Sequence, residues 1–216
     1  MKKISIMFLC VMSIILMVGC AKTTSKDKGA DDSRKEADVD YLTKDTIENL
    51  LSGKHHAEIE IIDYGVIEVE LDADSAPVSV TNFVNLAKEK FYDGLTFHRI
   101  ISGFVIQGGD PNGDGTGGSD NNIIGEFINN GVDNQLSHKR GALSMARSAN
   151  NNSASSQFFI CHEDALSLNA DYAAFGHVTE GMEIVDAICK KVQPIDGNGT
   201  VQPENQPVIK TIKIID

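Results

Sequence analysis

The run "FHRIISGFVIQ", Phe97–Gln107, carries one arginine, Arg99, among apolar neighbours and ends on Gln107, eight residues later. A guanidinium stays protonated and holds its N–H donors in a rigid fork, so it can stabilise developing negative charge without giving up a proton. The plainer alternative is an arginine snorkelling from a strand edge. The residues that follow invite two further chemistries. "DPNGDGTGGSDN", Asp110–Asn121, supplies Asp110, Asn112, Asp114 and Gly115 at EF-hand positions. Its twelfth residue is Asn121 where a calcium loop needs a bidentate glutamate, and its flanks are strand-like. "GDGTGG" fits a lone G-x-G-x-x-G, but no helix opens behind it to aim N–H groups at phosphate. A glycine-rich turn is the expectation. The histidines, His55, His56, His98, His138, His162 and His177, lack metal-ligand spacing. No G-x-S-x-G elbow accompanies the serines of "SANNNSASSQ". Neither metal nor nucleophile is expected.

Short strands must position these residues. "AEIEIIDYGVIEVELD" alternates apolar and polar around Tyr64-Gly65, which predicts two half-buried strands and a tight turn. "SAPVSVTNFVNLAKEKF" sets Val80, Phe83, Val84 and Ala87 at helical spacing behind Pro77. "LTFHRII", "FVIQGG", "GALSMAR", "SQFFICH" and "AAFGHVT" read as further strands. "GMEIVDAICKK" reads as a second helix with Met182, Val185, Ile188 and Cys189 on one face, and "PVIKTIKIID" as a last strand. Many short strands with two helices suit an antiparallel barrel or sandwich of about 160 residues rather than a doubly wound sheet. "YLTKDTIENLLSGK" predicts a short helical lead-in over residues 41–56, ahead of the domain at 57–216.

"FHRIISGFVIQGGD" closely resembles the hallmark strand–loop–strand of cyclophilins, the peptidyl-prolyl cis–trans isomerases. "GEF" at Gly125–Phe127, "GALSMAR" at Gly141–Arg147, "SQFFI" at Ser156–Ile160 and "FGHV" at Phe175–Val178 look like family blocks in the family's order. "GVIEVELDADSAPVSVTNFVNLA" resembles its first hairpin and helix. The resemblance implies a closed antiparallel eight-stranded β-barrel capped by two α-helices. It makes Arg99 the donor to the prolyl nitrogen, with Gln107 beside it. Phe104, Val105, Phe159 and Leu168 become pocket walls, Ala146 and Arg147 backbone contacts, Gln157 a side-chain amide and Tyr172 the rim. No cofactor is implied, because turning an X–Pro bond needs a pocket and a donor, not a metal. The uncatalysed barrier is ~18–20 kcal/mol, and about 5–6 kcal/mol less gives turnovers on the order of a hundred per second. Three positions depart from the family. Ser167 stands where many members have tryptophan, which argues against tight cyclosporin binding. Tyr172 replaces a rim histidine, and Arg147 replaces an asparagine, suggesting a positive rim.

The N-terminus carries a different message. "MKKISIMFLCVMSIILMVGC" has a basic start, a short apolar run and Gly19-Cys20, the pattern of a secretory signal over residues 1–19. "MVGC" resembles a bacterial lipobox, with Met17 where leucine is usual, so Cys20 is the expected lipidation site. Residues 20–40, polar and of mixed charge, read as a disordered tether. Removing Lys2 and Lys3 from the 19 bases leaves 17 against 31 acids, a formal charge of −14. That argues against nucleic acid as a partner. Of four cysteines, Cys161 and Cys189 would remain in the domain, and Cys161 reads as a buried free thiol. The expected protein is monomeric, extracytoplasmic and lipid-anchored to the bacterial cell membrane. Its expected partners are proline-containing peptides and unfolded secreted proteins. An alternative is a cyclophilin-fold peptide-binding or chaperone module with incidental catalysis.

Overall fold

A computed structural model describes residues 41–216; the signal, Cys20 and the tether lie outside the described residues. Strand β1 (Tyr41–Leu42) is followed by the hairpin β2 (Lys54–Ile61) and β3 (Gly65–Asp72), then helix α1 (Pro77–Lys88). The chain continues through β4 (Arg99–Ile101), β5 (Val105–Gly108), β6 (Asn122–Ile123), β7 (Ala142–Met145), β8 (Phe158–Cys161) and β9 (Ala174–Glu180). Helix α2 (Met182–Lys191) and β10 (Ile209–Ile214) complete it.

The alternation in the first hairpin is realised residue by residue. Ala57 faces Val69 and Ile59 faces Ile67 across the ladder, all four buried, while the intervening glutamates reach solvent. Helix α1 buries Val80, Phe83, Val84 and Ala87 as its spacing predicts. Phe83 meets Tyr92, Phe158 and Phe175 at ring separations of 5.2, 5.4 and 5.3 Å, so the helix is locked to β8 and β9 by aromatic contact. In α2, Ile184, Val185, Ile188 and Cys189 are buried, and Lys190 and Lys191 complement the negative end of the helix.

The first turn of α1 has no side-chain cap of its own. Glu126, fully buried and 48 residues downstream, accepts from Val78 N–H at 3.0 Å and from Ser79 N–H and Oγ at 2.8 Å each. A carboxylate at a helix N-terminus satisfies orphan donors and meets the positive end of the dipole. Burial pushes its carboxyl upward, and these donors pull it back.

Two expectations need correction. The barrel is open: the sheet runs β10-β2-β3-β9-β7-β8-β5-β4, and its end strands share no ladder. Single contacts span the gap, with Ile209 N–H donating to Leu95 O at 2.8 Å and Phe97 N–H to Pro207 O at 2.9 Å. Thr96 forms bridges to both Asp110 and Val208, so the chain before β4 divides its bonding and cannot run on as a strand. The helical lead-in over 41–56 is also absent. Tyr41–Leu42 instead pairs in parallel with Asn122–Ile123. Thr43 N–H donates to Thr46 Oγ1, and Leu51 N–H to Thr81 Oγ1, side-chain bonds that compete with helix formation. The β2 strand then begins at Lys54, three residues before the expected domain start at Ala57.

Replacing Glu126 by alanine leaves two buried N–H donors unpaired and is expected to destabilise the fold by about 2–4 kcal/mol. Urea denaturation checks this, with Glu126→Gln losing less because one amide oxygen can still accept.

Candidate functional site

The hairpin of β4 and β5 pairs Arg99 directly with Gln107 across the ladder, so both side chains leave the same face. Gly103, at φ +81°, makes the turn between the strands. Arg99 Nη1 donates to Gln107 Oε1 at 3.2 Å, Gln107 Nε2 to Gln157 Oε1 at 2.9 Å, and Gln157 Nε2 to Gly117 O at 2.7 Å. An arginine can only donate, so it dictates which end of each amide faces it, and the whole chain is polarised in one direction. On its other side Arg99 Nε donates to Asn198 O at 2.8 Å. Two of the three guanidinium nitrogens are thereby held, and Nη2 has no hydrogen-bond partner among the described residues. His98, its neighbour, is buried, and burial pushes its imidazole pKa down.

The glycine-rich stretch is therefore the far end of this hydrogen-bond chain. Its order comes from Asp110, which is buried and accepts from the N–H groups of Asn112, Asp114 and Gly115 at 2.9, 3.1 and 2.6 Å. Asp114 in turn accepts from Thr116 N–H and Oγ1. These carboxylates cap loop amides. Gly117 must be glycine, because a Cβ there would collide with the Asp110 carboxylate.

Strand β8 supplies the floor. Phe158 points into the main core and Phe159 to the opposite side, where it joins Val105, Ala142, Cys161 and Ala165 in a second apolar cluster. Phe104, Ala146, Leu168 and Tyr172 pack on that cluster without being fully covered. Together with Arg99, Gln107 and Arg147 they enclose a cleft of about 270 Å³. Gln157 lines an adjoining polar recess of about 210 Å³ that shares Gln107, Ala146 and Arg147 with it. All ten predicted site residues thus converge on one face. A wider cleft of about 540 Å³ between Ile62–Tyr64 and Glu204–Val208 contains none of them.

Two residues differ from expectation. Arg147 is no free positive rim: its guanidinium lies 4.8 Å over the Tyr172 ring and 5.1 Å over Phe127, and its Nε donates to Asp171 O. It clamps Tyr172, which meets Phe159 edge-on at 6.0 Å. Ala146 N–H is already bonded to Gln157 O, so only the carbonyl side of that residue can meet a peptide.

His138 was not legible as a site residue. It is fully buried and stacks on Phe159 at 5.9 Å. Asn169 Nδ2 donates to Ser137 Oγ, so Asn169 Oδ1 faces His138 and accepts both its backbone N–H and Nδ1–H. Nε2 is left to accept from Ser144 Oγ at 2.9 Å. The neutral ring therefore ties the floor to the Leu168–Asn169 rim, and burial lowers its pKa. Asn198 and Asn169 were missed as well, because each reaches the site from a distant loop without any local motif. The thiols of Cys161 and Cys189 are free and buried, and burial pushes them up to about 12 and about 11.

His98 and His138 are both buried with lowered pKa values, while the unfolded chain takes up these protons near the ordinary pH of about 6.5. The unfolded state then binds more protons below that pH, so stability is full above it and falls as pH drops through it. Urea midpoints at neutral and mildly acidic pH should show this fall, and a smaller one in His138→Gln.

Comparison with known proteins agrees with this geometry. The family model described as cyclophilin type peptidyl-prolyl cis-trans isomerase/CLD matches residues 56–215. The chain is 47% identical over 126 residues to a peptidyl-prolyl cis-trans isomerase of Helicobacter pylori, covering 57% of this chain and 74% of the relative. It is 51% identical over 117 residues to peptidyl-prolyl cis-trans isomerase B of Bacillus subtilis, covering 54% and 78%. A crystal structure of a Cryptosporidium parvum cyclophilin type isomerase superposes with a TM-score of 0.67 at 30% identity, covering 76% of this chain and 99% of that one. A second structure of that protein, in the presence of the dipeptide Ala-Pro, gives 0.65 at 31% identity, covering 74% and 99%. A donor chain anchored on Arg99, an apolar floor at Phe159 and a family match over residues 56–215 lead to one assignment: the chain belongs to the cyclophilin-type peptidyl-prolyl cis–trans isomerases.

Proposed function

We propose that Arg99 drives the isomerisation by donating from Nη2 to the prolyl nitrogen as amide resonance breaks and its lone pair localises. The observation that carries this reading is the cross-strand pair of Arg99 and Gln107 at the mouth of a cleft floored by Phe159. Phe104, Val105, Phe159 and Leu168 hold the proline ring apart from water, and Tyr172 closes one side. Gln107 keeps the guanidinium plane in place, while Gln157, Ala146 and Arg147 border the path of the flanking peptide. A fixed charged donor in a partly dry site acts on the transition state more strongly than on either ground state, which is where catalysis arises. The Ala-Pro dipeptide of the Cryptosporidium parvum crystal fits this assignment of a proline-containing substrate.

We further propose that the enzyme works outside the cytoplasm, anchored by lipid on Cys20, and speeds folding of secreted or envelope proteins. Support comes from the signal-like run and "MVGC" in the sequence. No helix among the described residues is long and apolar enough to cross a membrane.

Arg99→Ala should lower kcat by roughly a hundredfold or more, as loss of a preorganised donor does. Phe159→Ala should act mainly on KM. Exchange NMR on an X–Pro peptide separates the two, and full activity in Arg99→Ala would sink the proposed mechanism. Should that variant lose turnover yet still complement a deletion strain, the binding-module reading would take its place. Cys20→Ser should abolish incorporation of labelled palmitate and move the protein from the membrane to the soluble fraction; unchanged labelling would refute the anchor.

A further inference from the structure

Arg99 is held on one side by Gln107, and on the other by a carbonyl from a loop 99 residues away. That loop, "DGNGT", is built around Asp196. The Asp196 carboxylate accepts from Asn198 N–H at 2.9 Å and Thr200 N–H at 3.0 Å through Oδ1, and from Thr200 Oγ1 at 2.9 Å through Oδ2. Ile195 N–H closes the loop onto Thr200 O at 2.8 Å. The folded loop then lies along the free edge of β4. Ile100 N–H donates to Gly199 O at 2.8 Å, and Val201 N–H to His98 O at 3.0 Å.

The carbonyl that meets Arg99 belongs to the peptide between Asn198 and Gly199, which is fixed at both ends. Asn198 N–H is bound to Asp196, and Gly199 sits at φ +86°, where a Cβ would come within 2.7 Å of Ile100 O. The carbonyl cannot swing away while the Asp196 bonds persist. We infer that Asp196 is a positioning residue for the reaction: by folding the 196–200 loop it aims the Asn198 carbonyl at Arg99 Nε and so sets the direction of Nη2. Asp196 touches neither the cleft nor Arg99, and acts only through that carbonyl.

Two anchors at Nε and Nη1 define a plane, and one anchor leaves a hinge. A free arginine side chain samples many rotamers, and the second anchor removes much of that freedom before substrate arrives. Losing it should lower the fraction of bound complexes in which the donor points at the prolyl nitrogen. Binding of the ring, which rests on Phe159 and its neighbours, should be unaffected.

The inference rests on Arg99 being the donor proposed above, and the experiment separates the two. Full-length wild type, Arg99→Ala, Asp196→Ala, Asp196→Asn and Thr200→Val are compared in detergent by exchange NMR on an X–Pro peptide. Solvent exchange of the Arg99 Nε–H is followed in parallel. Asp196→Ala is expected to lose on the order of tenfold in kcat with KM within twofold, because misaimed donors cost turnover rather than binding. Its Arg99 Nε–H should exchange faster. Asp196→Asn, which keeps an acceptor oxygen for the two N–H groups, should recover most of the loss, and Thr200→Val should lose about twofold. Wild-type kcat in both Asp196→Ala and Thr200→Val overturns the inference, as does a loss of kcat with the Nε–H still protected. If Asp196→Ala fails to fold, Asp196→Asn and Thr200→Val decide on the same readouts. Full activity in Arg99→Ala would instead remove the donor reading itself.

Discussion

Phe158 and Phe159 are adjacent in the chain and cannot share a core, because the pleat of a strand sends successive side chains to opposite faces. That constraint organises the molecule. Phe158 meets Phe83, Tyr92 and Phe97 in the core that holds α1 against the sheet. Phe159 is left to a smaller cluster on the other face, which the fold covers only in part. The partial cover is the cleft. One strand thus secures the fold with its first residue and floors the site with its second, so the site cannot drift without disturbing the core.

On that face polarity runs in one direction. Arg99 can only donate, and every amide behind it turns accordingly: Gln107, then Gln157, then the carbonyl of Gly117. The glycine-rich loop therefore acts as the terminus that fixes the chain, with buried Asp110 holding its amides. The donor proposed here is a single cation with no proton to transfer, in keeping with a reaction that breaks amide resonance rather than a bond.

The open barrel is part of the same arrangement. A sheet edge exposes unpaired N–H and C=O groups and must be covered. Here β4, the edge strand that carries Arg99, is covered by the loop of residues 195–201 instead of by β10. A loop can present a carbonyl to a side chain at the edge, whereas a regular strand spends its carbonyls on the ladder. Leaving the barrel open gives Arg99 its second contact.

Much of this was legible in the sequence. Alternation in "AEIEIIDYGVIEVELD" and the apolar spacing of the two helices marked the first hairpin, α1 and α2, because strand and helix periodicity converts such local patterns into faces. The ten residues that line the site were named by the resemblance of the blocks from "FHRIISGFVIQ" to "FGHV" to the cyclophilin family, not by periodicity. The barrel's missing closure, the two-residue β1 in place of a helix, and the inward turn of Arg147 onto Tyr172 and Phe127 were decided only in three dimensions. So were Glu126 capping a helix 47 residues upstream of it, His138 beneath Phe159, and the Asn198 carbonyl behind Arg99. Each is a contact between groups far apart in the chain, and at Glu126 it is made because buried N–H donors must find an acceptor. Sequence periodicity states which face a residue takes; only the packed structure determines which distant group is waiting there.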